Sequence, residues 1–296
     1  YEIDSLAYPL QLAYLYYRNT GDASVFDDDF AKGARMIVDL WTLEQRHENS
    51  SYRFVRETWR KEDTLSHDGL GSPVAYTGMT WSGFRPSDDA CTYHYLVPSN
   101  MFAVVVLRYL EEIAETYLKN QKLMQDANRL RQEIDEGIRK HAITDHQGRE
   151  MFAYEVDGLG NQLLIDDPNV PSLLSVPYLG YCDFTDPIYQ NTRSFILSKE
   201  NPYYYQGRYA RGCGSSHTPE NYIWPIALAI EGLTDPNKEK KKDILNLLVE
   251  TDGGTNMMHE SFNVDNPKEF TREWFSWANM MFCELVLDYY DIRVEK

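Results

Sequence analysis

The chain has 296 residues, and 29 Lys+Arg against 46 Asp+Glu give a formal charge of −17 at pH 7. That balance excludes a generic nucleic-acid or anionic-membrane surface, since both are bound through clustered cations. Apolar residues at 43% and charged residues at 25% suit a globular chain with a sizeable core and exclude disorder, while the aromatic share of 14% is high enough to put many rings at polar boundaries.

Apolar periodicity predicts a first helix near 3–18, closed by Asn19-Thr20-Gly21-Asp22. A second spans about 26–48, with Phe30, Ala34, Ile37, Val38 and Trp41 on one face. After a long segment rich in Gly, Ser, Trp and Tyr, Pro98 opens a helix to about 119, and an amphipathic partner follows at 121–141. Segment 142–170 reads as loop with short strands at 151–154 and 162–165. Further helices are expected at 171–180, 186–198, 219–233, 236–250 and 270–290. No apolar run is long enough to span a membrane, and the protein is expected to be soluble, either cytoplasmic or exported. The four cysteines are far apart with no CxxC pair, which speaks against a zinc site and a dense disulfide framework and for buried free thiols.

About nine helices therefore pair into hairpins, with short turns alternating with long connections at 49–97, 142–170, 199–218 and 251–269. In such a stack the long connections gather at one end, as in the mouth of an α/α barrel. Connections of this length are usually functional. The expected fold is all-α, an (α/α)6 barrel with minor strands in its loops and one domain over 1–296. Six hairpins need twelve helices, so about three are expected to precede Tyr1, where the sequence starts without Met inside an apolar pattern. An open α-solenoid is the alternative.

The long loops carry the chemistry. The first holds Trp81, Phe84, Arg85, Asp88 and Asp89, two carboxylates among rings that could raise the pKa of an acid, or that simply cap a helix and pair with Arg85. The second holds Tyr154, Glu155, Asp157, Asp166 and Asp167, which suit helix capping or ligand contact and lack EF-hand spacing. The third is glycine-rich around His217 but has neither a P-loop nor a dinucleotide-binding fingerprint. The fourth sets Glu260 among Met258, His259 and Phe262, followed by Arg272 and Trp274; HExxH fails at Asn263, and no Gly-x-Ser-x-Gly elbow is present. Together they put Asp88/Asp89 and Glu260 on one aromatic mouth, an arrangement suited to glycoside hydrolysis.

The stretches Tyr1-Glu-Ile-Asp-Ser-Leu-Ala-Tyr-Pro9, Trp81-Ser-Gly-Phe-Arg-Pro-Ser-Asp-Asp-Ala-Cys91, Asp166-Asp-Pro-Asn-Val-Pro-Ser172, Gly214-Ser-Ser-His-Thr218, Ile223-Trp-Pro225, Met258-His-Glu-Ser-Phe262 and Glu273-Trp-Phe-Ser-Trp-Ala-Asn279 resemble glycoside hydrolase family 125 from end to end of the chain. The resemblance implies an inverting exo-α-1,6-mannosidase on an (α/α)6 barrel, acting on α-mannoside oligosaccharides of the N-glycan type. It implies Asp88 as general acid, with Asp89 as the alternative, and Glu260 as general base. Asp89, Arg85, Trp81, Tyr154, Asp166, Asp167, His217, His259 and Trp274 are its implied substrate contacts. No metal, cofactor or second chain is implied. The sequence departs from the family at Pro168, where Ala is expected, and in the absent N-terminal helices. The readings set against it are another α/α-barrel hydrolase, of glucosidase or trehalase type, and a non-catalytic carbohydrate-binding toroid.

Overall fold

The structure is a computed structural model that describes residues 1–296. Ten helices follow one another: α1 Asp4–Thr20, α2 Asp28–Glu44, α3 Ser66–Gly69, α4 Val97–Thr116, α5 Gln121–His141, α6 Val176–Leu179, α7 Pro187–Ile196, α8 Pro225–Leu233, α9 Lys238–Glu250 and α10 Ser276–Tyr289. The single-turn α3 and α6 lie inside long connections, and the other eight form the scaffold. Their ends follow local chemistry. Asp27, Asn120, Asp186 and Asn237 each accept from backbone N–H groups of the helix they open, and Gly21 closes α1 in the left-handed conformation. Helix α4 is apolar nearly all round and runs through the core, with α1 and the amphipathic α5 packed against it; α10 packs on α8 and α9. Sixty-five buried apolar residues form one continuous core.

The four long connections expected from the periodicity are present and are ordered by small sheets, but they do not strictly alternate with short ones: because 171–180 is reduced to the single turn α6, the long 142–186 and 197–224 are separated only by α7. The first, 45–96, ends in β1 Tyr95–Leu96. The second, 142–186, holds β2 Ile143–His146, β3 Arg149–Phe152, β4 Glu155–Val156 and β5 Gln162–Leu163; β1, β4 and β5 make one antiparallel sheet, which ties the first loop to the second. The third, 197–224, holds β6 Tyr204–Gln206, β7 Arg211–Cys213 and β8 Tyr222–Ile223, and the fourth, 251–275, holds β9 Ser261–Asn263 and β10 Asn266–Thr271. Strands β10, β9 and β8 join the last two loops in the same way.

Three helix expectations are corrected. Residues 171–175 are turns, and only Val176–Leu179 is helical, because buried Asp166 draws the Leu173 and Leu174 N–H groups to its own carboxylate. Helix α8 starts at Pro225 rather than 219, since a residue before proline is pushed out of the helical region and Trp224 is extended at φ −103°, ψ 125°. Residues 266–271 pair as a strand, so α10 begins at Ser276. All four cysteines are free thiols. No helix is long and apolar enough to cross a membrane.

Candidate active site

All four long loops put residues into one open cleft of about 500 Å³, which the start of α1 completes. Asp88 enters from the first loop, Asn169 from the second, His217 and Trp224 from the third, and Glu260, Arg272 and Phe275 from the fourth. Helix α1 contributes Glu2 and Ser5 just around its first turn, with Asp4 and Tyr8, and α10 contributes Trp277. The aromatic wall is continuous: Trp224 and Phe275 meet edge to face at 6.1 Å, Phe275 and Trp277 lie tilted at 6.4 Å, and Trp277 and Tyr8 meet edge to face at 6.5 Å.

Asp88 stands at the tip of a tight turn. The Asp88 N–H donates to the Arg85 carbonyl at 2.9 Å, with Pro86 at the position where its fixed φ suits a β-turn. Asp88 itself takes φ +69°, a left-handed conformation that Asp tolerates better than most residues, and its side chain is exposed in the cleft. The turn is anchored on three sides. Arg85 Nε donates to Glu155 Oε1 at 2.6 Å, below the protein surface, while Glu155 Oε2 takes the Thr92 and Tyr93 N–H groups. Ser87 Oγ donates to Asp167 Oδ2 at 2.8 Å. Asp89 is buried and accepts from Ser216 Oγ at 2.5 Å, His217 Nδ1 at 3.0 Å and Arg60 at 3.2 Å. Burial alone would raise the Asp89 pKa, but the bonds from His217 and Ser216 and the nearby charges outweigh it and hold the carboxyl below its usual value. Asp89 is thus a fixed anion, and Asp88 is the aspartate of the pair that faces the cleft.

Glu260 lies just ahead of β9, buried, with Oε1 3.1 Å from Arg272 Nε. Arg272 also takes a left-handed backbone, φ +45°, at the end of β10, and its guanidinium lies over the Phe275 ring at 5.9 Å. His217 lines the cleft with Nδ1 bound to Asp89. That bond, aided by the Asp89 and Glu260 charges and opposed by burial, raises its pKa. Arg272 is therefore the cation paired with Glu260, and His217 lines the same cleft close enough for the Glu260 charge to raise its pKa.

The other sequence candidates lie elsewhere. Trp81 is wholly buried, stacked on His47 at 3.6 Å and on His94 at 4.7 Å. Tyr154 is wholly buried, with Arg85 over its ring at 5.4 Å. Arg85 is spent on Glu155 and does not line the cleft. Asp166 and Asp167 are buried behind it, and burial pushes them up to about 8 and about 6 respectively. His259 stacks on Phe270 at 3.8 Å and binds the Glu273 and Asp252 carbonyls. Trp274 is 61% exposed outside the cleft. The sequence reading missed Glu2, Asp4, Tyr8, Asn169, Trp224, Arg272, Phe275 and Trp277 as cleft residues. A usable signal was an acidic pair, Glu2 and Asp4, opening an otherwise apolar helix, with Tyr8 four residues after Asp4 and so on the same face.

Fold and cleft together define a class: helical proteins that gather their long loops into one acidic, ring-walled cleft. The family model of metal-independent α-mannosidases, GH125, matches residues 1–287, and the chain belongs to that family. A Streptococcus pneumoniae metal-independent α-mannosidase, solved in a non-productive complex with α-1,6-mannobiose, is 61% identical. It superposes with a TM-score of 0.98 over 99% of this chain and 70% of that one. The Meiotically up-regulated gene 157 protein of Schizosaccharomyces pombe is 39% identical over 302 residues, and this chain spans 59% of its length. A bacterial glucoamylase solved with acarbose matches 68% of this chain and 34% of its own at a TM-score of 0.51 and 14% identity, a likeness of fold alone.

Proposed function

We propose that the chain removes non-reducing terminal α-1,6-linked mannose by inverting hydrolysis, with Asp88 as general acid and Glu260 as general base. The observation that carries this is the convergence of those two carboxyl groups, from loops 172 positions apart in sequence (260 − 88), on one aromatic cleft. Family membership and the mannobiose complex of the 61% identical relative support the substrate.

In one displacement the Asp88 carboxyl gives its proton to the O6 of the leaving sugar. The Glu260 carboxylate takes a proton from the water that attacks the anomeric carbon on the opposite face, and β-mannose is released first. Arg272, paired with Glu260 at 3.1 Å, fixes the orientation of the base in the cleft. Room for that water calls for carboxyl groups roughly 6.5–9.5 Å apart. Asp89, held as an anion, anchors the acid's turn and orients His217. The helical hairpins are read as part of an (α/α)6 ring and residues 1–296 as one catalytic domain. The reading is of a monomer acting on an oligosaccharide.

Product analysis on α-1,2-, α-1,3- and α-1,6-linked mannobiosides tests the substrate, and NMR of the first-formed anomer tests the mechanism. Preferred cleavage of the 1,6 linkage with initial β-mannose is expected; initial α-mannose overturns inversion. Glu260→Gln should abolish turnover while leaving mannoside binding intact, and unchanged turnover overturns the assigned base.

A further inference from the structure

Asp89 carries more donors than bracing the acid's turn requires. Its Oδ2 takes the Ser216 hydroxyl at 2.5 Å, while its Oδ1 takes two donors at once, His217 Nδ1 at 3.0 Å and Arg60 Nη2 at 3.2 Å. Ser216 and His217 already give each oxygen a partner, so Arg60 is surplus as a brace. It is delivered by an excursion of the first loop. The root of the excursion is tied by the Phe54 N–H to the Gly69 carbonyl at 3.1 Å and the Leu65 N–H to the Phe54 carbonyl at 3.3 Å. The tip is fastened beside the acid pair by the Ala90 N–H, which donates to the Glu62 carbonyl at 2.8 Å. There the Arg60 N–H donates to Thr58 Oγ1 at 3.2 Å, the Arg60 carbonyl accepts the Asp63 N–H at 3.2 Å, and Nη1 lies 3.6 Å from Asp63 Oδ1. A closed turn thus aims this guanidinium at the one oxygen that also holds His217.

We propose that Arg60 is a positioning residue: through the shared Asp89 oxygen it opposes the charged form of His217, and so sets the pH at which His217 Nε2 turns from hydrogen-bond donor to acceptor. This deepens the reading of the cleft as an α-mannoside hydrolase and rests on it. His217 lines the cleft and is held edge to face on Trp224 at 6.2 Å. With Nδ1 committed to Asp89, Nε2 carries a proton in the imidazolium and a lone pair in the neutral ring. Two positive groups on one oxygen compete for it and repel each other. The other charges around His217 come from several elements: Glu2 and Asp4 from the start of α1, Asp88 from the first loop, and Glu260 and Arg272 from the fourth. Asp167 of the second loop interacts with Asp89, and Arg211 and Glu220 of the third stand outside the cleft. The bond to Asp89 favours the imidazolium most, burial opposes it, the Asp89 and Glu260 charges favour it, and Arg60 opposes it. Arg60 is thus the side chain that checks the charge on His217. At 22% exposure its influence is partly screened, which keeps the expected effect modest.

The test follows the His217 imidazole by NMR across pH, its resonance assigned by its loss in His217→Gln, in the wild type, Arg60→Met and Arg60→Lys. The pH profile of kcat/KM on α-1,6-mannobiose is measured for the same three chains. Arg60→Met removes the charge and keeps the stem, so it should raise the His217 midpoint by about half a pH unit or more, and Arg60→Lys should bring most of that shift back. The limb of the profile that follows His217 should move in the same direction by the same amount. An unmoved or lowered midpoint in Arg60→Met overturns the proposal. So does a lowered Tm with midpoint and limb both unmoved, which makes Arg60 a loop brace. In a chain that turns over, a raised midpoint with an unmoved profile overturns the positioning role. Should Arg60→Met fail to fold, Arg60→Gln is titrated in its place: a raised midpoint supports the coupling and an unmoved one overturns it. The NMR titration needs no turnover, so it separates this coupling from the function itself. A raised midpoint in chains that cleave no mannobiose removes the hydrolase and keeps the coupling, whereas cleavage with an unmoved midpoint removes the coupling and keeps the hydrolase.

Discussion

Two Asp-Asp pairs, Asp88-Asp89 and Asp166-Asp167, look alike in the sequence and sit in consecutive long loops, yet the fold uses them in opposite ways. In the second pair every carboxylate is turned inward. Asp166 accepts the Leu173 and Leu174 N–H groups at 2.8 and 3.0 Å, and Asp167 accepts from Ser87 and the Asn169 N–H. In the first pair only Asp89 is turned inward, while Asp88 is swung out by its left-handed backbone. The same dipeptide yields two loop braces in one place, and one brace with one free acid in the other. A carboxylate is available for chemistry where the backbone gives it no internal partner.

The largest expected effect breaks the first pair at Asp88. Asp88→Asn should lower turnover of α-1,6-mannobiose by about 10²–10⁴-fold with no change in Tm, and an activated aryl mannoside, which needs little protonation of its leaving group, should recover most of the loss. Equal loss on both substrates would take the acid role from Asp88.

Next comes Asp166→Ala, which leaves two buried N–H groups unsatisfied and should cost about 2 kcal/mol of stability in denaturant unfolding, while KM stays near that of the parent. A stabilised variant would mean that the cost of burying the carboxyl group outweighs its two bonds.

The pairs should also differ in the sign of their pH dependence. The Asp89 pKa lies below its usual value in the folded chain, so its contribution to stability is full above about pH 4 and is lost as pH falls through the folded value. His217, raised by its bond to Asp89, contributes fully below about pH 6.5 and loses this as pH rises through its folded value. Asp166 and Asp167 run opposite to Asp89 and in the same sense as His217. With folded values of about 8 and about 6, the folded chain keeps protons that the unfolded chain has released, so their contribution falls as pH rises from about 4 to those values. Tm measured from pH 4 to 8 should therefore fall less steeply in a variant that removes Asp166. In Asp89→Asn it should lose the part of the fall above about pH 6.5 that comes from the His217–Asp89 bond.

The smallest effect is expected at Trp274, a substrate contact by the resemblance but exposed outside the cleft. Trp274→Ala should change mannobiose kcat/KM less than about two-fold and stability by under about 0.5 kcal/mol. A ten-fold loss would return it to the site.

Much of the scaffold could be read from residue order. Pro98 ahead of an unbroken apolar run marks α4, the polar-faced 121–141 marks its partner, and Gly21 ends α1, because each is local chemistry. The convergence of four loops also followed from their lengths. What escaped was set by remote groups. Trp81 sits beside the acid's turn in sequence yet stacks on His47 in the core, and Arg85, three residues from Asp88, is taken by Glu155 from another loop. Asp4 escaped because helix periodicity hides an acid in a first turn, where it also suits the helix dipole.

By itself, then, the sequence determined most of the helices, the existence of the four long connections, the acidic and aromatic character of the loops, and the motif set that carries the family. These depend on a few neighbouring residues at a time. Tertiary structure decided which carboxylates are braces and which face the cleft. A buried acid's role is set by the donors that reach it, and those donors, Ser216 and His217 for Asp89 and none for Asp4 Oδ1, come from chain segments that no local pattern brings together.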